Sequence, residues 1–116
     1  MPAPIAALGL NQLNKINFYN ECRRQAAKRW DLWCERNGYQ KPLVVQDSVP
    51  VYLRYPVLVE PRKKQNPDWA NNKLGVDIGG WFTGNIHTVH PLKEGYPEAN
   101  KAVRQCINFP CLYLAD

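Results

Sequence analysis

Apolar residues recur at steps of three and four along the first third of the chain. The series is Leu10, Leu13, Ile16, Tyr19, Cys22, Ala26, Trp30 and Trp33. This spacing places the series on one side of an α-helix. Because only Gly9 interrupts the pattern between residues 5 and 37, we expect one long helix there, ended by Gly38. The tryptophans at its far end call for a larger partner surface than a chain of this length is expected to supply.

A strand is predicted in the middle of the chain, after a connecting segment at residues 41–50. The sequence VYLRYPVLVE, residues 51–60, alternates imperfectly and is rich in Val and Tyr, which is typical of a strand half covered by helices. Pro56 has no N–H to offer a neighbouring strand. We therefore expect this strand to lie at a sheet edge or to carry a bulge.

Residues 67–74 are predicted to form a short helix, because the segment carries helix signals at both ends. Asn66 can cap it, Pro67 suits the first helical position, and Gly75 can end it after Leu74. The sequence GVDIG, which begins at Gly75, then alternates as a second strand.

A third helix is predicted to start at Gly95, Tyr96 and Pro97. Its expected inward positions are Ala99, Ala102, Val103 and Cys106. The sequence INFPCLYL, residues 107–114, is a final extended run. The order of elements predicts an α+β fold, a single domain over residues 1–116 in which a long helix and two shorter ones pack on a small, mostly antiparallel sheet.

Composition narrows the class of protein. A chain of 116 residues with 45% hydrophobic residues suits one globular domain with one core. No apolar run approaches the ~18 residues of a membrane span, and the start lacks the basic segment of a secretory signal, so we expect a soluble, cytoplasmic protein. The cysteines show no CxxC pair, which favours reduced, partly buried thiols. They are Cys22, Cys34, Cys106 and Cys111.

The net charge of +5 makes nucleic acid a candidate partner. However, the basic residues of the first helix share their segment with Glu21, Asp31 and Glu35, as on a solvated helix face. Aromatic residues are not interleaved with the basic ones as stacking platforms. We therefore rank a nucleic-acid binder last, and steep salt-dependent retention on DNA or RNA is its test.

The stretch GVDIGGWFTGNIHTVHP, residues 75–91, raises three chemical possibilities. His87 and His90 are two ligands without a nearby cysteine, which is too few for a common zinc site, so no metal is expected. The glycines match neither GxGxxG nor a Walker pattern, and Gly79 and Gly80 are explained as positions where the backbone turns. No serine or cysteine has the sequence context of a nucleophile. The remaining possibility is part of a binding pocket.

Four blocks of the sequence together resemble a known family. They are AALGLNQLNKINFYNECRRQAAKRW, YLRYPVLVE, GVDIGGWFTGNIHTVHP and GYPEANKAVRQCINFP. Their order and spacing look like the C-terminal part of the DegT/DnrJ/StrS family of pyridoxal-phosphate-dependent sugar aminotransferases. Residues 6–27 are similar to the family segment ALGLxQLxKLxxxxxxRRxxA, which links the large and small domains. The resemblance covers nearly all of this chain, but only the last part of a family member.

The resemblance implies the small domain of a type I aminotransferase, with residues 5–37 as the interdomain linking helix. His87 matches the histidine that ends the family motif GVxVGxHYxPLH, and Trp81 and Phe82 occupy its His-Tyr positions. With Asn85 of the same loop, these residues are the implied contacts for a nucleotide-sugar substrate, and His90 is a bystander. An equally strong interpretation places the two aromatics in the core, with the histidine bonded to a backbone carbonyl.

The resemblance also implies what this chain lacks. Family members hold pyridoxal phosphate on a lysine of the large domain, and no lysine here, including Lys15 and Lys93, matches that position. We expect no cofactor on this chain alone and no catalytic residue, with a separate large domain or a second copy as partner. The alternative is a non-catalytic dimerisation or binding module that pairs through the helix face of Trp30 and Trp33.

Overall fold

A computed structural model describes residues 2–80 and 96–111 of the chain. The described part has α+β architecture with a two-stranded antiparallel sheet, as predicted at this level. The elements, in chain order, are α1 (Ala3–Leu13), α2 (Ile16–Asn37), β1 (Arg54–Leu58), α3 (Pro61–Gln65), α4 (Asp68–Leu74), α5 (Pro97–Gln105) and β2 (Cys106–Pro110).

The predicted long helix is divided in two at Asn14 and Lys15. The Lys15 N–H donates to the Gln12 carbonyl at 3.0 Å, a bond that spans three residues rather than four and tightens this turn. Gly9, the interruption noted in the sequence, lies within α1. At the other end the prediction is confirmed, because Gly38 adopts the left-handed conformation (φ 74°) and its N–H bonds to the Cys34 carbonyl.

Helix α1 has no buried residue, which the apolar periodicity did not anticipate. Leu10 and Leu13, predicted to face inward, are 61% and 62% exposed. Burial begins further along the helical pattern, at Ala26 in α2. Periodicity identifies the side of a helix that can be buried, but it does not show whether the same chain supplies a covering surface.

The core lies between α2 and the sheet. Its buried residues are Ala26, Ala27 and Cys34 of α2, Tyr55, Val57 and Val59 in and after β1, and Ile107, Phe109 and Cys111 in and after β2. The Trp30 ring stacks on the Phe109 ring (4.2 Å, 9°), and the Trp33 ring meets Phe109 edge-on at 4.9 Å. Both tryptophans pack against the core and stay half-buried, so the sheet supplies part of the partner surface that the sequence called for.

The sheet has an unbroken register of five residue pairs, from Arg54 with Pro110 to Leu58 with Cys106. The Val59 N–H donates to the Gln105 carbonyl, so the backbone groups of Val59 face β2. Because this direction alternates along an antiparallel strand, the backbone of Pro56, three residues earlier, faces the outer edge of the sheet. Within residues 2–80 and 96–111, the edge strand is therefore the explanation that the structure supports for this proline, and the unbroken register shows no bulge there.

Residues of GVDIG do not form the predicted strand. They contribute one isolated bridge, in which Gly79 and Asn108 exchange two backbone hydrogen bonds of 2.9 Å on the outer side of β2. Helix α4 begins at Asp68, where Asn66 gives no side-chain cap, and it ends as predicted at Gly75 (φ 66°). The preceding helix α3 was not predicted.

Helix α5 packs less completely than its sequence pattern predicted. Its first residue is Pro97, and Ala99 is exposed rather than inward. Ala102 and Val103 are half-buried, and Cys106 is buried where the chain enters β2. Only the C-terminal half of this helix therefore adds to the core.

Candidate functional site

The substrate-contact residues predicted from the sequence, Trp81, Phe82, Asn85 and His87, lie outside the described residues, as does His90. The described chain leads to this segment through Gly79, which the two backbone bonds with Asn108 hold against β2. The structure thus gives the position of Gly79 beside Asn108, and the role of the predicted contact residues stays a prediction.

A concave cleft of about 570 Å³ is lined partly by residues 74–77, which come just before Gly79 in the sequence. Its lining residues are Arg29, Trp30, Arg54, Leu74, Gly75, Val76, Asp77 and Pro110. They come from α2, the start of β1, the end of α4 and the end of β2. The volume falls within the range of pockets that hold small molecules. We take this cleft as the candidate site of the described chain.

The walls of the cleft are positioned by local structure on two sides. On one side, the Trp30 indole is stacked on Phe109, and its Nε1–H donates to the Pro110 carbonyl at 2.9 Å. On the other side, α4 ends at Gly75, whose left-handed backbone turns the chain from Leu74 to Val76. The apolar wall is therefore preformed, since stacking and a hydrogen bond hold its largest side chain.

Among the described residues, both signs of charge line the cleft. Arg29 and Arg54 are basic lining residues, and Asp77 is an acidic one. Burial raises the pKa of the Cys111 thiol, whereas the positive charges of nearby arginines act to lower it. Those arginines are Arg23, Arg54 and Arg29, and two of them line the cleft.

The described residues near the cleft do not form a nucleophilic centre. Cys111 is only 2% exposed and burial raises its pKa, so its reactive thiolate form is disfavoured at neutral pH. Over residues 2–80 and 96–111, no group of three or more His, Cys, Asp or Glu side chains could hold a metal ion.

None of the described lysines lines the cleft. Burial lowers the pKa of Lys64, whose Nζ donates to the Val103 carbonyl at 2.6 Å. Lys63 lies over the rings of Tyr39 and Trp69 and donates to the Tyr39 hydroxyl.

Sequence reasoning missed the residues that define the cleft. The Arg29–Trp30 pair was visible, but it was interpreted as part of a solvated helix face with an apolar stripe. Arg54 and Asp77 belong to separate segments, and only the pairing of β1 with β2 and the turn at Gly75 bring them to one cleft. No local signal in the sequence identifies such a convergence.

The described helices include none long and apolar enough to cross a membrane. The chain matches no protein-family profile, no curated protein and no solved structure.

Proposed function

We propose that this chain acts as the C-terminal domain of a pyridoxal-phosphate-dependent nucleotide-sugar aminotransferase, an enzyme of amino-sugar biosynthesis, and is not catalytic by itself. The order of the four sequence blocks supports this function. In this role Trp81 and Phe82 offer flat apolar surfaces to the substrate. Asn85 and His87 offer polar groups to its hydroxyls or phosphates.

The observation that carries the proposal is that the apolar side chains of α1 are exposed. Residues 2–14 contain no charged side chain, and the large apolar residues of this segment are at least half exposed. They are Ile5, Leu8, Leu10 and Leu13. A helix that is apolar on most sides is normally covered by protein. An interdomain linking helix meets this requirement, because the large domain covers it in the assembled enzyme.

In the assembled enzyme, pyridoxal phosphate supplies the electron sink for transfer of the amino group. The lysine and the acidic partner of the cofactor belong to the large domain in the family that the chain resembles. This chain is left with binding and orienting the sugar nucleotide at the cleft edge. Its own side chains therefore carry specificity and not the bond-breaking step.

Cofactor binding tests the proposal directly. The purified chain is mixed with pyridoxal phosphate, the absorption band of an aldimine is sought, and the mixture is treated with borohydride. We expect no stoichiometric modification of any lysine. A lysine trapped in stoichiometric yield contradicts the statement that the chain is not catalytic by itself.

The partner is tested separately. If the proposal is correct, a lysine-bearing pyridoxal-phosphate domain, encoded in the same or in an adjacent reading frame, forms a complex with this chain. We expect Leu10→Asp in α1 to abolish the complex, because it buries a charge in the contact. Glu98→Lys is the matched control, because Glu98 lies exposed on the distant helix α5. A complex that survives Leu10→Asp contradicts the proposed linking role of α1.

The exposed α1 also keeps the second function open, a non-catalytic module that pairs with another copy. Its contact surface would include the exposed α1 beside the half-buried face of Trp30 and Trp33. Light scattering distinguishes the two functions. A dimer that Leu10→Asp converts to a monomer supports the module, and a monodisperse monomer counts against it.

A further inference from the structure

The cleft of Arg29 and Arg54 carries an inference that does not depend on the aminotransferase proposal. We infer that this cleft binds a phosphate-bearing small molecule, with the two guanidinium groups on the phosphate and the wall of Trp30, Leu74 and Val76 on an apolar ring of the ligand. The inference uses only residues that the structure describes.

The first argument is the supply of charge. Arg29 comes from α2 and Arg54 from β1, and both line the same cleft. In the described part of the chain, neither Arg29 nor Arg23 takes part in an ion pair, although α2 contains several carboxylates. The glutamates of α2 are paired elsewhere, Glu21 with Arg24 at 2.9 Å and Glu35 with Lys41 at 2.7 Å.

The third carboxylate of α2 also has a hydrogen-bond partner away from the cleft. Asp31 accepts a hydrogen bond from the Tyr55 hydroxyl at 2.5 Å, on the core side of the helix. Asp77 lines the cleft, where the Asn71 amide lies 3.5 Å from its Oδ1. Among the described lining residues, Arg29 and Arg54 are basic and Asp77 is acidic. A guanidinium group can bind phosphate through two parallel N–H donors, which favours phosphate over a weakly charged anion.

The second argument is the apolar wall. Trp30 is held by Phe109 and by the Pro110 carbonyl, so it presents its exposed surface without losing further side-chain freedom. Leu74 and Val76 are half-buried on the opposite side. The volume of about 570 Å³ exceeds what a bare phosphate ion fills. The combination fits a phosphate ester of a ring compound, with Asp77 placed to accept a hydroxyl of the ligand.

Titration calorimetry at low salt tests the inference with inorganic phosphate and phenyl phosphate as probes. We expect phenyl phosphate to bind with a Kd of about 1 mM or tighter, and more tightly than inorganic phosphate, because only phenyl phosphate reaches the apolar wall. Arg29→Ala is expected to weaken binding about 10-fold or more, since a charge-assisted bond is lost. Arg54→Lys keeps a positive charge but loses the planar fork, and we expect a smaller loss.

Arg24→Ala is the matched control, because Arg24 lies on the same helix and is bonded to Glu21 outside the cleft. It removes the same charge, so we expect binding within about 2-fold of the parent chain. Thermal unfolding of each variant establishes that it is folded. If Arg24→Ala weakens binding as much as Arg29→Ala, the effect is general charge and the inference is overturned.

Two further outcomes also overturn the inference. One is that phenyl phosphate gives no detectable heat of binding. The other is that the two probes bind with equal affinity, because the apolar wall then contributes nothing to binding. Neither outcome touches the proposed aminotransferase role, which depends on α1 and on the partner domain. Conversely, phosphate binding at this cleft stands even if no lysine-bearing partner exists.

Discussion

The hydrogen bond between Tyr55 and Asp31 is the most direct test of how α2 is attached to the sheet. Tyr55 is 0% exposed, and its hydroxyl donates to the half-buried Asp31 carboxylate at 2.5 Å. Burial, followed by this bond, raises the pKa of the tyrosine, so it stays a donor at neutral pH. Tyr55→Phe keeps the ring and removes only the hydroxyl. A hydrogen bond to a charged group contributes about 1.5–3 kcal/mol, and we expect the free energy of unfolding to fall by that amount.

Urea unfolding followed by circular dichroism measures this loss. A domain of this size has a stability of about 5–15 kcal/mol, so the variant is expected to remain folded. Tyr52→Phe is the matched control, because Tyr52 is half-buried beside Tyr55, with ring centroids 5.3 Å apart. Within the described residues its hydroxyl has no hydrogen bond, and we expect a change within about 0.5 kcal/mol.

A double-mutant cycle with Asp31→Asn isolates the bond itself. We expect a coupling energy between positions 31 and 55 within the range of about 0.5–3 kcal/mol for residues in contact. The cluster also includes the buried Cys34 thiol, whose pKa burial raises and the bond with Tyr55 lowers. The reasoning is refuted if Tyr55→Phe costs no more than Tyr52→Phe, or if the coupling energy is zero within error.

Three further predictions concern the backbone, the aromatic core and the thiols. Gly38→Ala is expected to destabilise the fold by about 1–2 kcal/mol in urea unfolding, because Gly38 has φ 74° with open space around it, so the cost is conformational alone. Gly9→Ala meets equally open space within α1 and is expected to stabilise the helix by about 0.5–1 kcal/mol. If the two glycine variants change the free energy of unfolding in the same direction, this account is contradicted. Phe109→Ala is expected to cost about 3–5 kcal/mol in the same assay, since it removes a fully buried ring, whereas Phe18→Ala at 53% exposure is expected to cost far less. In a thiol-labelling time course on the native protein, the half-buried Cys22 is expected to react first, and rapid labelling of a second thiol contradicts the packing described. The thiols expected to react only on unfolding are Cys34, Cys106 and Cys111.

Local chemistry made several features of the fold predictable. Gly38 and Gly75 end helices because a left-handed residue without a Cβ costs little there, and this preference does not depend on distant contacts. Pro56 lies at a sheet edge because a residue without an N–H cannot donate to a neighbouring strand. Each of these features is decided within a few residues, so the sequence alone was sufficient.

The family resemblance and the site residues that it implies are not tested by the described part of the structure. Trp81, Phe82, Asn85 and His87 were identified by similarity to a motif, and the described residues stop short of them. The structure adds the position of Gly79, which is bridged to Asn108 of β2. Their contact with a sugar nucleotide stays a prediction, which the tests of cofactor and partner binding address.

What the sequence determined by itself was the α+β class, the helix ends at Gly38 and Gly75, and the backbone restriction at Pro56. Tertiary structure alone decided which helix faces are covered: Trp30 and Trp33 lie against the sheet, while Leu10 is exposed on α1. It alone also brought Arg29 and Arg54 to one cleft. The physical reason is that backbone preferences act over neighbouring residues, whereas burial and electrostatic fields depend on residues that are distant in the chain and meet only in the folded protein.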